Sequence, residues 1–248
     1  MDPHTWIVIL GAVVAGFVQG LSGFAFGLVA MSIWAWTLEP QLAAAMTVFG
    51  ALTGQIIAAV SVRRGFDIGL LLPFLIGGLL GIPIGVMILP WLNVHVFKLV
   101  LGSLLVVWCP LMLFARHLPR ITAGGSFADG LIGFIGGAMG GIGGFTGPIP
   151  TLWCTLRQWE KDTQRAVIQN FNLAALSATM AAYIATGKIG IGMLPTLAVV
   201  ATAMLVPTLL GAKLYIGISE STFRKIILSL LTASGFGLLA SALPHVVG

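Results

Sequence analysis

The chain has 248 residues, of which 58% are hydrophobic and only 8% charged, and its mean hydropathy is +1.07. That composition excludes an ordinary soluble domain and specifies a polytopic membrane protein. Twelve Lys and Arg outnumber seven Asp and Glu, but they lie in short clusters between apolar spans, where such charges set topology; no nucleic-acid partner is expected.

The first residues, MDPHTWIVIL, contain Asp2 and no Lys or Arg ahead of the apolar run. They lack the basic start of a signal peptide, so the first apolar segment is expected to stay in the mature protein. That segment, residues 5–38, is too long for one crossing of about 20 residues and too short for two crossings and a turn. Gly20-Leu21-Ser22-Gly23 stands near its middle and Gly27 just beyond, which predicts a hairpin of two short helices. Spans of single-crossing length follow at 41–62, 68–89 and 96–115, separated by Arg63-Arg64-Gly65-Phe66-Asp67 and Pro90-Trp91-Leu92-Asn93. After Arg116-His117-Leu118-Pro119-Arg120 the layout restarts with a glycine-broken segment at 127–155 and spans at 163–186, 191–212 and 224–243.

The expected fold is therefore all-α: a first repeat in residues 1–120 and a second in 121–248, each a glycine-broken hairpin plus three transmembrane helices, together one membrane domain. Residues support the layout. Gly16-Phe17-Val18-Gln19-Gly20-Leu21-Ser22-Gly23 lies over Gly133-Phe134-Ile135-Gly136-Gly137-Ala138-Met139-Gly140, which sets Gly27 over Gly144, and Phe97-Lys98-Leu99 answers Arg224-Lys225-Ile226. Internal duplication of this kind is common in secondary transporters.

Charge counting then chooses a topology. If each broken segment crossed once, seven basic residues would face five. If each returns to its own side, Arg63, Arg64, Arg116, Arg120, Arg157, Lys161, Arg165, Lys213, Arg224 and Lys225 share one side, and only Lys98 and Lys188 oppose them. Basic residues in short loops mark the cytoplasm, so the second arrangement is preferred. Each half then holds an odd number of crossings, the repeats are inverted, and both termini lie outside the cytoplasm.

Residues 130–147 contain nine glycines. Glycine lets backbones pack closely in membrane helices, and it also frees backbone amides to meet a ligand; both readings stand on pattern alone. Asp2, Glu39, Asp67, Asp129, Glu160, Asp162 and Glu220 all fall near segment ends, so no proton relay of deep carboxylates is expected. No Lys or Arg lies deep in a span either. An anion would have to be held by helix N-termini and backbone N–H groups, where unpaired amides and the helix dipole favour negative charge. Gly141, Gly143, Gly144, Phe145 and Thr146 form the expected cradle, ahead of Pro148 and Pro150, which signal a helix start.

Gly20, Ser22, Gly23, Phe24 and Gly27 form the opposite wall, while Thr47, Gln55, Gln169, Asn170 and Asn172 are the amides and hydroxyls expected to face the interior. Asn170 and Asn172 are two apart and do not share a helix face, so at most one points at the ligand. Trp6, Trp34, Trp36, Trp91, Trp153 and Trp159 read as interfacial anchors. Cys109 and Cys154 read as small buried hydrophobes. The histidines lack ligand spacing, and neither a cofactor motif nor a nucleophile–base set appears, so an enzyme is not expected.

Two glycine-broken halves, the second reading Gly141-Ile142-Gly143-Gly144 with Pro150 after it, resemble the TauE/SafE sulfite exporter family, also called the toluene sulfonate uptake permease family. Its motif is Gly-x-Gly-Gly-Gly followed by Pro; Phe145 here replaces the last glycine. The first half departs further, with Ser22-Gly23-Phe24-Ala25-Phe26-Gly27 and no following proline. The resemblance covers essentially the whole chain and implies transport of a small sulfur-containing anion (sulfite, thiosulfate or an organosulfonate) in a bacterial cytoplasmic membrane. A membrane scaffold without transport of its own and an uptake permease for another small organic anion remain open, as does the choice between monomer and homodimer.

Overall fold

The computed structural model describes residues 3–61, 65–115, 120–214 and 220–247. Asp2 and, from the charge count, the Arg63–Arg64 pair and Arg116 lie outside the described residues. The described chain is wholly helical: α1 (Pro3–Ser22), α2 (Phe26–Trp34), α3 (Pro40–Ser61), α4 (Ile68–Ile88), α5 (Val94–Phe114), α6 (Gly125–Gly143), α7 (Pro148–Leu156), α8 (Lys161–Ala185), α9 (Leu194–Leu214) and α10 (Glu220–Val247). Single-turn 3-10 helices at Leu89–Trp91 and Ile191–Met193 extend α4 and precede α9.

Local chemistry sets several boundaries. Asp67 caps α4 by accepting from the Leu70 N–H at 3.2 Å, and Asn93 caps α5 by accepting from Val96 at 2.8 Å. Pro148 opens α7, where its missing N–H costs nothing. Among the described residues six helical stretches are long and apolar enough to cross a membrane: Thr5–Ser22, Pro40–Val60, Ile68–Trp91, Val94–Phe114, Ile191–Lys213 and Lys225–His245.

Two expectations are corrected here. The first hairpin is not made of two short helices, because α1 has 20 residues and α2 only 9. The second has the same proportions, 19 residues in α6 and 9 in α7. At 1.5 Å per residue the long arms measure about 30 Å and the short ones about 13 Å, so each hairpin joins a membrane-length helix to a half-length one. The repeat register also shifts. Gly23 and Gly144 are the glycines that end the long arms, with φ of +81° and +76°, so the counterpart of Gly144 is Gly23 and not Gly27, one helical turn later.

Packing follows from bare backbone. Gly77, Gly81 and Gly85 stripe α4, and Gly133, Gly137 and Gly141 stripe the facing side of α6. A Cβ at Gly81 would strike the Phe134 carbonyl and one at Gly137 the Gly78 carbonyl, so the two helices touch main chain to main chain, as small-residue seams in membranes do. The α1–α9 seam is built alike, with Gly20 against the Thr208 carbonyl and Gly211 against the Phe17 carbonyl. Thus the long arm of each hairpin lies along a helix of the other half, α1 on α9 and α6 on α4, while α5 pairs with α10 and α3 with α8. Exchanging the halves leaves this set of neighbours unchanged.

Trp34 is not an interfacial anchor: it is fully buried, stacks edge-on against Phe26 at 6.2 Å and donates from Nε1 to the Ile7 carbonyl at 3.1 Å. Trp6 and Trp91 are exposed. Trp153 is tied up inside the second hairpin, donating to Asp129 at 2.7 Å, and Arg157 pairs with the same carboxylate at 3.1 Å.

The seam gives a direct test. Overpacking a close crossing costs about 1–3 kcal/mol, so Gly81→Ala is expected to lower the melting temperature in detergent by several degrees. Gly192→Ala, where an added Cβ meets nothing within 4 Å, should leave it unchanged.

Candidate functional site

The two hairpin breaks meet. Each long arm ends on a left-handed glycine, a conformation that other residues adopt only with strain. At the second break the Gly144 N–H donates to the Gly140 carbonyl at 2.7 Å, the 5→1 bond of an αL cap, and the Phe145 N–H donates to the Met139 carbonyl at 3.4 Å. At the first, the Gly23 N–H donates to the Gln19 carbonyl at 2.7 Å, and the Ser22 hydroxyl accepts from Ala25 N–H at 3.2 Å. A Cβ at Gly27 would lie 3.0 Å from the Gly144 carbonyl oxygen, and one at Gly147 would lie 3.2 Å from the Phe24 ring. The tips therefore touch at both places.

Buried polar side chains gather around this junction. On α8, Asn172 is 1% exposed and its Oδ1 accepts from the Thr146 hydroxyl at 2.8 Å. A Cβ at Gly23 would stand 2.9 Å from Gln169 Nε2, so α8 reaches both tips. From α3, Gln55 Nε2 donates to the Gly23 carbonyl at 2.7 Å, and the Thr47 methyl abuts Gly144. Asn170 points elsewhere, donating to the Gly65 carbonyl at 3.1 Å. Helix phase thus separates the two asparagines, and Asn172 is the one at the tips.

Gly20 and Gly141, both candidates on sequence, lie in the α1–α9 and α6–α4 seams. A Cβ added at either would meet helix backbone, and the Gly141 carbonyl accepts from the Tyr183 hydroxyl of α8 at 2.7 Å. Gly143 is covered by the Phe145 ring, 2.6 Å from an added Cβ. Phe145 in turn forms the wall of an apolar cavity of about 270 Å³ shared with Phe97, Leu101 and Leu104 of α5 and Met139 and Ile142 of α6.

One polar residue of the junction escaped the sequence reading. Gln19 of α1 is 2% exposed, and its Oε1 accepts from the Phe26 N–H at 3.0 Å, capping the first turn of α2. The signal was thin: it is the single side-chain amide of residues 5–38, and no spacing rule singles it out. In the corrected register its counterpart is Gly140, which the Thr146 methyl covers. A side chain therefore caps α2 at Phe26 alone; the Gly27 and Leu28 amides of α2, like the Gly147 and Ile149 amides at the start of α7, find no acceptor among the described residues.

Charge is sparse here. Asp129 is the one buried acidic or basic side chain among the described residues, and Arg157 compensates it. Among the same residues no group of three His, Cys, Asp or Glu could hold a metal ion. The junction can offer hydrogen-bond donors, hydroxyls and two helix N-termini, a set suited to a small anion and not to acid–base chemistry.

A model of the family described as "Sulfite exporter TauE/SafE" matches residues 8–238. The chain belongs to that family. The match takes in both hairpins and every residue of the tip junction, so the site described above lies inside the family's fold. Comparison with curated proteins and with solved structures gives no match. With six apolar stretches of crossing length, the chain is a multi-pass membrane protein of a transporter family.

The Thr146–Asn172 bond is testable by itself. A buried hydrogen bond broken on one side costs about 1–3 kcal/mol. Thr146→Val and Asn172→Ala should each destabilise by that order, and the double variant by less than their sum, as a double-mutant cycle on thermal unfolding would show.

Proposed function

We propose that the protein is a secondary transporter that exports a small sulfur-containing anion (sulfite, thiosulfate or an organosulfonate) from the bacterial cytoplasm, with the anion held where the two hairpin tips meet. One observation carries the reading: two half-length helices, α2 and α7, direct their N-termini at one buried junction that, among the described residues, holds amides and hydroxyls but no acidic or basic side chain. Each N-terminus contributes a partial positive charge of about half an elementary unit. Backbone amides and helix dipoles then do what a buried Lys or Arg would otherwise do, and they leave the anion weakly enough held to depart.

Membership in the family supplies the sulfur chemistry; the geometry supplies the preference for an anion. The exchange symmetry of helix neighbours, α1 on α9 as α6 on α4, supports two repeats, residues 1–120 and 121–248, and the charge count supports their inversion with both termini outside the cytoplasm. In that arrangement the tips sit near the midplane and the halves rock about them to expose the anion to either side. An inside-negative potential of 100 mV favours efflux by about 2.3 kcal/mol per charge, so export needs no coupling ion.

Reconstituted into liposomes, the protein should release preloaded sulfite or thiosulfate faster under an inside-negative potential. Asn172→Ala should cut that flux about tenfold or more, since it removes a polar group at the junction. Asn170→Ala, which removes the bond to the Gly65 carbonyl away from the tips, should keep it. Absence of flux with sulfite, thiosulfate and aryl sulfonates alike would overturn the proposal and leave a scaffold role.

A further inference from the structure

Four buried side-chain polar atoms have no hydrogen-bond partner among the described residues: Gln19 Nε2, His95 Nδ1, Thr151 Oγ1 and Thr208 Oγ1. Buried donors without acceptors are rare and call for a physical reason. Gln19 stands apart because its other polar atom is already committed at a helix N-terminus. The Phe26 N–H can only donate, so the side-chain atom facing it at 3.0 Å must be Oε1. That fixes the amide's orientation and forbids the flip that would move the nitrogen away. Nε2, with its two hydrogens, is turned toward α3, where a Cβ at Gly54 would stand 3.0 Å from it.

The position matters. Gln55, next to Gly54, reaches the first tip through its bond to the Gly23 carbonyl, and Gly27, next to Phe26, abuts Gly144 of the second tip. Gln19 Nε2 is thus a donor, almost fully buried, at the edge of the tip junction. Its two hydrogens match the lone pairs of an oxyanion, and neither an apolar solute nor a cation would satisfy them. We infer that Gln19 is a substrate-contacting residue that donates a hydrogen bond from Nε2 to the transported oxyanion while its Oε1 holds the N-terminus of α2. The inference rests on the anion site proposed above and adds a side-chain donor on the first hairpin, opposite the open amides of α7.

Gln19→Glu is the informative change, since it keeps the shape and the acceptor for Phe26 and replaces the donor by an oxygen. Binding of sodium sulfite, thiosulfate and benzenesulfonate to the purified full chain in detergent is read by calorimetry, alongside the ligand-free melting temperature. Expected is affinity lowered about tenfold or more, the scale of one hydrogen bond to a charge, together with a lower ligand-free melting temperature, because a carboxyl group buried at this site costs more than the amide it replaces. Equal affinity in Gln19→Glu and wild type would overturn the inference and leave Gln19 a helix cap, while the anion site stands. No binding by the wild type would remove the anion site itself. Should the Glu variant fail to fold, Gln19→Met decides: it loses cap and donor together, and retained affinity would overturn the inference whatever its melting temperature.

Discussion

A single constraint organises the molecule: the backbone of α6 must be bare on two faces at once. Helical period sorts its glycines into two stripes. Gly133, Gly137 and Gly141 receive the main chain of α4, while Gly136, Gly140 and Gly143 lie under Thr146, Pro150 and Phe145 of the returning segment. Any side chain on the first stripe would push α4 away, and any on the second would lift the hairpin tip off its own arm. Close packing on α6 thus divides by face. One stripe is seam, the other is the floor of the tip, while at the break Gly144 meets α2 and α3 and Gly147 meets Phe24 of the other hairpin and Asn172 of α8.

The two tips answer the same geometric problem with different chemistry. At the first, Gln19 and Ser22 supply side-chain acceptors to the amides of Phe26 and Ala25. At the second, Gly140 and Gly143 occupy the equivalent places and offer no side-chain acceptor; among the described residues main-chain donors stay open at the start of both short helices, at Gly27 and Leu28 of α2 and at Gly147 and Ile149 beside α7. Two tips of like geometry therefore differ in the side chains that serve them where they meet. Orphan amides are costly in an apolar interior, and an anion is the partner that offsets that cost most fully.

Much of this was readable beforehand, for identifiable reasons. Fold class followed from composition and span length, since twenty apolar residues have few other uses. The break at Gly144 was marked by glycine density and by Pro148 just after it. What was hidden depends on who stands next to whom. Gly20 and Gly141 look like tip glycines in sequence, and only the crossing helix reveals them as seam. Asn170 and Asn172 differ by a rotation that no pattern fixes. Trp34 sits near a segment end but folds inward to Ile7. His95 and His245, 150 positions apart by their numbers, stack at 4.2 Å, and a lone amide such as Gln19 carries no periodic signal at all.

The crossed pairing of arms also bears on how the chain is made. When α4 emerges from the ribosome, its glycine groove has no partner, because α6 is still to be synthesised; α1 waits longer still for α9. Until then main-chain carbonyls along both grooves face lipid with little side chain to shield them. The first half is therefore inserted before it is complete, and its seams close only when the second half threads in beside them. Biogenesis, more than the finished stability, is where a bulky residue on either groove would first be felt.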